Sequence, residues 1–194
     1  MNEVVLLAGP SGTGKTSLLE KMTGLDSNFE HIFTYMTRPK RENEKERETK
    51  SLKELEEMYH NGEVLYLLKR HGVMFGPSTT SLYKILNHGN IPVIEMSVYE
   101  LDTFQKKYPK TIVAYVAPQS LEILMGHLLR DGRSTGSDRQ SESAKELDDY
   151  KSNKLNCFID IHLVNQEHRI AETAGSAILK IKALIKPAAT IKLC

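Results

Sequence analysis

The chain has 194 residues, and 26 Lys and Arg against 25 Asp and Glu leave a formal net charge of +1. That length suits one domain with a substantial core, and the charge balance gives no general drive toward nucleic acid or a membrane surface. Two cysteines, Cys157 and Cys194, exclude a disulfide framework and have no metal spacing. With no membrane-length apolar run and no cationic apolar leader, the expectation is a soluble cytoplasmic protein, monomer or homodimer.

Val4–Ala8 is apolar without alternation, which predicts a buried parallel strand. Directly behind it, Gly9-Pro10-Ser11-Gly12-Thr13-Gly14-Lys15-Thr16 fits G-x-x-x-x-G-K-[ST], the P-loop pattern, and Ser17 leads into a helical run that fades at Thr23-Gly24. The glycines allow turn conformations that a Cβ would forbid, and the freed amides with the helix start make an anion nest. Lys15 supplies a mobile charge for β- and γ-phosphates, and the Thr16 hydroxyl is a magnesium ligand. A chance match in a chain of this composition is on the order of one in a hundred. The stretch therefore predicts a nucleoside triphosphate site with Mg²⁺ on Thr16.

Residues 32–36 form the next strand candidate. Residues 38–57 are dense in Lys, Arg and Glu, and Ser51 with Glu54 resembles a capping box before Leu52, Leu55 and Met58. Strands are predicted over 64–68 and 73–76 around a His71-Gly72 turn, then a helix over 78–88; together 33–88 read as an inserted lobe. Strands follow at 91–96 and 111–116. A helix from Pro118 carries Leu121, Leu124, Leu128 and Leu129, residues 130–143 read as a loop, and a strand over 159–164 precedes a helix over 166–185. Cys157 reads as a packed core thiol. Alternating strands and helices predict an α/β fold, a mainly parallel sheet with helices on both faces.

A second constellation follows the strand at 32–36. Thr34, Arg38, Arg41 and Glu44 place a hydroxyl, two guanidinium groups and a carboxylate within eleven residues. Two arginines three apart can fork around one phosphate while the acid holds them.

These motifs resemble the guanylate kinase family over almost the whole chain. Gly-Pro-Ser-Gly-Thr-Gly-Lys is that family's form of the P-loop, and Thr34-x-x-Thr37-Arg38-Pro39-x-Arg41-x-x-Glu44 is similar to its phosphate-binding segment. Asn61-Gly62-Glu63, His71-Gly72 and Phe75-Gly76 follow in the family's order. The resemblance implies a core (1–32, 89–126, 148–186), an acceptor lobe (33–88) and a lid (127–147). It implies transfer of the γ-phosphoryl of ATP to GMP, with Gly9, Ser11, Gly12, Thr13, Gly14, Lys15, Thr16, Ser17 and Asn165 on ATP. Arg38 and Arg41 would hold the acceptor phosphate, with Thr34, Glu44, Tyr66, Phe75, Ser78 and Ser97 around the acceptor. Thr16, with Glu95 acting through water, would hold Mg²⁺.

The departures fall on the base. Tyr66 stands where the family reads guanine with a Glu, and the family's Tyr after the arginines is missing. The Tyr-Gly-x-Ser element becomes Phe75-Gly76-Pro77-Ser78, and Asp-x-Asp becomes Glu95-Met96-Ser97. The lid's Arg pair lines up with Lys145-Glu146, leaving Arg130, Arg133 and Arg139 as substitutes. Ribose 1,5-bisphosphate phosphokinases share the shortened loop, a Ser at the Ser97 position and the lost Glu, so a phosphosugar acceptor is the second reading. A non-catalytic binding module of the same fold is a third, and the intact Lys15-Thr16 argues against it.

The complete P-loop leads to one expectation independent of the acceptor. Lys15→Ala should abolish phosphoryl transfer and leave the fold intact, as checked by ADP release beside a circular dichroism spectrum. Near wild-type turnover would favour the binding module.

Overall fold

Strand β1 (Val4–Ala8) is buried at every position because its side chains alternate between two covered faces. The computed structural model describes residues 3–41, 44–130, 137–166 and 168–185. After β1 come α1 (Lys15–Leu25), β2 (Phe29–His31), β3 (Thr34–Met36), β4 (Arg47–Thr49) and α2 (Leu52–His60). Then follow β5 (Leu68–Arg70), β6 (Val73–Pro77), α3 (Thr79–Asn87), β7 (Ile91–Met96), α4 (Leu101–Lys107) and β8 (Thr111–Pro118). The chain closes with α5 (Leu121–Arg130), α6 (Ser137–Lys151), β9 (Ile161–Asn165) and α7 (Ile170–Leu184).

Five strands in the order β2-β7-β1-β8-β9 pair in parallel throughout. Val5 and Leu7 pack with Leu18 and Met22 of α1 and with Ala174, Ala177 and Ile181 of α7. Val4, Leu6 and Ala8 meet Leu82, Ile85, Leu101 and Phe104 on the other face. Strand order reverses at β1, so its carboxyl end opens on a crevice, and the glycine-rich turn lies there. The expected α/β architecture is thus observed. Among the described residues no helix is long and apolar enough to cross a membrane.

A second sheet, β4-β3-β6-β5, stands apart from the first; β6 runs antiparallel to β3 and β5, and β4 parallel to β3. It lies within residues 33–88.

The structure departs from the sequence reading in several places. The run 32–36 is not one strand: β2 of the large sheet ends before it at His31, β3 of the small sheet begins at Thr34, and Ile32 and Phe33 join the two. At the joint Ile32 N donates to Val93 O (2.9 Å) and Phe33 N to Ser81 Oγ (3.0 Å). An unbroken apolar run carries no sign of such a change of sheet.

The strand expected over 64–68 is also broken. Leu65 N donates to Pro77 O at 2.9 Å, but Pro77 has no N–H to return the bond. Val64 faces Ser78 while Leu68 faces Phe75, so five residues oppose four across a bulge. Tyr66 sits in that bulge, buried, with its ring edge-on to Phe104 at 5.9 Å.

The loop expected over 130–143 contains the start of α6, a helix too polar to show an apolar period. Strand β4 and helix α4 had not been predicted either. Cys157 is exposed, not a core thiol.

Gly9 shows how tightly the turn is packed. Its φ is +143°, and a Cβ built there would lie 2.5 Å from the Val116 carbonyl oxygen of β8. Gly9→Ala should cost about 2 kcal/mol or more, read as a lower urea midpoint with unchanged slope. Gly24 in α1 has nothing within 4 Å of such a Cβ, so Gly24→Ala is the control, expected to be neutral or stabilising.

Candidate active site

The turn after β1 is braced from three sides. Thr13 Oγ1 donates to Pro10 O (3.0 Å), His127 Nδ1 of α5 meets Gly12 O (2.9 Å), and Asn165 Nδ2 at the end of β9 donates to Thr13 O (2.8 Å). Gly14, with φ +78°, packs so closely under Asn165 that a Cβ would come within 2.6 Å of its amide nitrogen. Among the described residues Asn165 Oδ1 is buried without a hydrogen-bond partner.

Lys15 is 8% exposed and curls back, its Nζ donating to Gly9 O (2.6 Å) and Pro10 O (2.7 Å). Next to it Thr16 Oγ1 donates to Glu95 Oε2 at 2.8 Å. Glu95 sits on β7, held beside β1 by the register that pairs it with Leu7.

From Glu95 a line of charges runs into the small sheet. Arg47 on β4 reaches Glu95 Oε1 (3.4 Å) and Glu44 Oε1 (3.5 Å). Glu44 in turn takes a two-pronged contact from Arg38, accepts from the Arg41 amide (3.0 Å), and lies 3.8 Å from the Arg41 guanidinium. Burial alone would raise the Glu44 carboxyl; the Arg38 hydrogen bonds, the Arg41 amide and the Arg47 charge hold it down at about 2. It stays ionised at any physiological pH.

These groups line one cleft of about 700 Å³ between the two sheets. Ser11 to Ser17 form one wall, and Thr34, Arg38, Arg41 and Glu44 belong to the opposite one; Tyr66, Phe75, Glu95, Arg130, Arg139 and Asn165 also line it. Gly9, Ser78 and Ser97 are not among its lining residues. Ser78 is buried as the cap of α3, its Oγ accepting from Ser81 N (3.2 Å). Ser97 caps the short turn before α4 and gives its hydroxyl to Glu146 Oε2 of α6 (2.7 Å). Glu146 therefore anchors α6 to the core, and Lys145 lies over the Tyr99 ring at 5.9 Å. Arg133 lies outside the described residues.

Three further charged residues stand here. Arg47 lies within the charge-dense run 38–57, where nothing singles it out, and Arg70, at the end of β5, carries no sequence signal. Glu100 had one: Ser97-x-x-Glu100 is a capping box, and Glu100 Oε2 accepts from Ser97 N at 2.9 Å.

Comparison with known proteins decides the family at this point. The family model described as guanylate kinase matches residues 1–180. The chain belongs to the guanylate kinase family. It is similar to the guanylate kinase of Lactococcus lactis, 29% identical over 182 residues, 92% of this chain and 85% of that one. The Prochlorococcus marinus guanylate kinase is 25% identical over 185 residues, covering 93% and 97%. Among solved structures, guanylate kinase from Anaplasma phagocytophilum superposes with a TM-score of 0.69 at 20% identity, over 95% and 87% of the two chains. Shikimate kinase from Acinetobacter baumannii gives 0.51 at 13% identity, over 96% and 97%. At these identities the two structural likenesses concern fold alone.

Within this member of the family the Lys15 ammonium is unusual. Burial, and after it the neighbouring Arg70 charge, push it down from 10.5 to about 8, against the pull of Glu146, Glu95 and Glu100. Phosphates favour the charged lysine, so above pH 8 ATP binding must take up a proton. ATP affinity should be flat below about pH 8 and weaken above it by up to about tenfold per unit, read from Kd titrations. The ligand-free protein should do the reverse. Between the folded value and 10.5 the unfolded chain binds more protons, so the lysine's contribution to stability improves as pH rises.

Proposed function

We propose that the protein transfers the γ-phosphoryl group of ATP to the phosphate of GMP, giving ADP and GDP, in the cytoplasm. The observation that carries this is the unbroken line Thr16–Glu95–Arg47–Glu44–Arg38, which ties a P-loop to a guanidinium pair across one cleft. Family membership and guanylate kinase relatives favour GMP over a phosphosugar.

Lys15 leaves its two carbonyls for the β- and γ-phosphates. The unpartnered Asn165 Oδ1 suits the adenine amino group. Arg38 and Arg41 hold the acceptor phosphate with Glu44 fixing their planes, and Thr34, Tyr66 and Phe75 wall the base. An anionic oxygen of GMP attacks the γ-phosphorus, and the bond to the β,γ-bridging oxygen breaks with its electron pair leaving on ADP. No general base is required, because the attacking oxygen already carries charge. Arg130, Arg139 and Arg133 are assigned to neutralising charge as the segment 127–147 closes and excludes water. Residues 1–32, 89–126 and 148–186 form the core that stays in place, and 33–88 carry the acceptor.

The hydroxyl of Thr16 and the carboxylate of Glu95 are hard oxygen donors side by side at the P-loop, and they fit Mg²⁺. When bound, the ion would neutralise charge on the phosphate oxygens, with Thr16 as ligand and Glu95 ordering its waters.

The base wall offers no carboxylate at Tyr66, so reading of guanine's two donors should be weak. An ADP-release screen with GMP, AMP, dGMP and ribose 1,5-bisphosphate tests both points. GMP should give the highest kcat/KM and exceed AMP by about tenfold or less, the scale of about 1.4 kcal/mol. Release with the sugar phosphate alone would overturn the proposal. A GMP preference above about a thousandfold would instead mean that residues other than the one at position 66 read guanine.

A further inference from the structure

Arg70 spans the two walls of the cleft and stands outside the line from Thr16 to Arg38. It ends β5 in the small sheet, just before the His71-Gly72 turn, where both residues have positive φ. Its side chain nevertheless reaches the large sheet's P-loop: Nη2 donates to Ser11 Oγ at 3.3 Å. On its other side Nε lies 3.7 Å from Glu100 Oε1, and Glu100 is itself pinned by the Ser97 amide.

The position has an electrostatic oddity. Arg70 is the charge that, after burial, most disfavours the ammonium of Lys15. Two cations thus face one small volume in front of Ser11, one folded back onto carbonyls and the other resting on a neutral hydroxyl. Of the carboxylates near them, Glu100 lies on Arg70, Glu95 on Thr16 and Arg47, and Glu146, which also draws on Lys15, is held by the Ser97 hydroxyl and the Val98 amide. An anion brought between the two cations is stabilised by both, and a P-loop is the element that brings a γ-phosphate there.

We propose that Arg70 is a catalytic residue that contacts the γ-phosphoryl group in transit, with Glu100 as its positioning residue. The inference rests on the ATP-dependent transfer proposed above and goes beyond the lid arginines to which that reading assigns charge neutralisation. A planar guanidinium bridges two equatorial oxygens of the transferring group, where negative charge spreads in the transition state. Because Arg70 rides on the acceptor-bearing sheet, the cation is in place only when that sheet sits against the P-loop. Glu100, held by a backbone amide, keeps the guanidinium aimed at Ser11 and away from bulk water.

The test uses Arg70→Ala, Arg70→Lys and Glu100→Gln in the full chain, each with its thermal midpoint recorded. Arg70→Ala should lower kcat with GMP by about a hundredfold or more and leave the KM for GMP within about threefold. It should also reduce the preference for Mg·ATP over Mg·ADP by about tenfold in direct binding, with the Kd for ADP unchanged. Arg70→Lys, keeping charge but not the fork, should fall between. Glu100→Gln should lower kcat about tenfold, and combining it with Arg70→Ala should add little, since both act through one group. A kcat within twofold of wild type with the ATP preference intact overturns the proposal, as does a rise in KM for GMP alone. If wild type does not phosphorylate GMP yet Arg70→Ala still loses the ATP preference, the GMP reading fails and Arg70 keeps its place. If wild type turns over GMP and Arg70→Ala matches it, Arg70 fails alone.

Discussion

Glu44 is a buried carboxylate that answers for three guanidinium groups. Arg38 grips it with two nitrogens, and Arg41 and Arg47 lie within 3.8 and 3.5 Å. Without it, three like charges would face each other in a part-buried cleft, and removing one partner from such a network costs far more than the pair itself contributes. The carboxyl is held at about 2, so no proton releases the arginines under physiological conditions. Arg47 then passes the constraint to Glu95, and Glu95 to Thr16. The orientation of Arg38 and Arg41 and that of the P-loop hydroxyl are one problem with one solution.

What the sequence revealed and what it hid follow from how local each feature is. The P-loop is a contiguous stretch of eight residues, so its glycine turn between a buried strand and a helix could be read directly. Arg38, Arg41 and Glu44 share a loop and were legible for the same reason. Arg47 and Arg70 reach the large sheet's Glu95 and the P-loop's Ser11 across 48 and 59 residues of sequence, contacts that exist only because the small sheet folds against the large one. Ser78 and Ser97 were placed by alignment to a family pattern; each turned out to cap a helix, the commonest task for a serine before a helical turn. Helix α6 was hidden by its own polarity, since it buries Ser143, Glu146 and Leu147 and no regular apolar stripe.

The base-facing wall shows a different kind of illegibility. Tyr66 lies on a run of β-branched and aliphatic residues that reads as a continuous strand. One missing N–H at Pro77, eleven residues away in sequence, breaks the ladder and creates the bulge that turns the ring toward Phe104. Burial raises the phenol well above its ordinary range, so it never supplies an anion to a ligand. Tyr66 therefore meets the cleft as a neutral ring, with most of its surface packed in the core.

The two-sheet construction has a consequence for how such a protein can change. Lys15, Thr16 and Glu95 are indexed to one another by the parallel register of β1 and β7, with Leu7 opposite Glu95 and Ala8 opposite Met96. Tyr66, Phe75 and Pro77 hang on the other sheet, which meets the first through side chains and a short joint at Ile32 and Phe33. Substitutions at Tyr66, Phe75 or Pro77 leave that register untouched, whereas Arg47 and Arg70 reach Glu95 and Ser11 and are bound to it. The small sheet is free to drift in its apolar residues and constrained in its arginines.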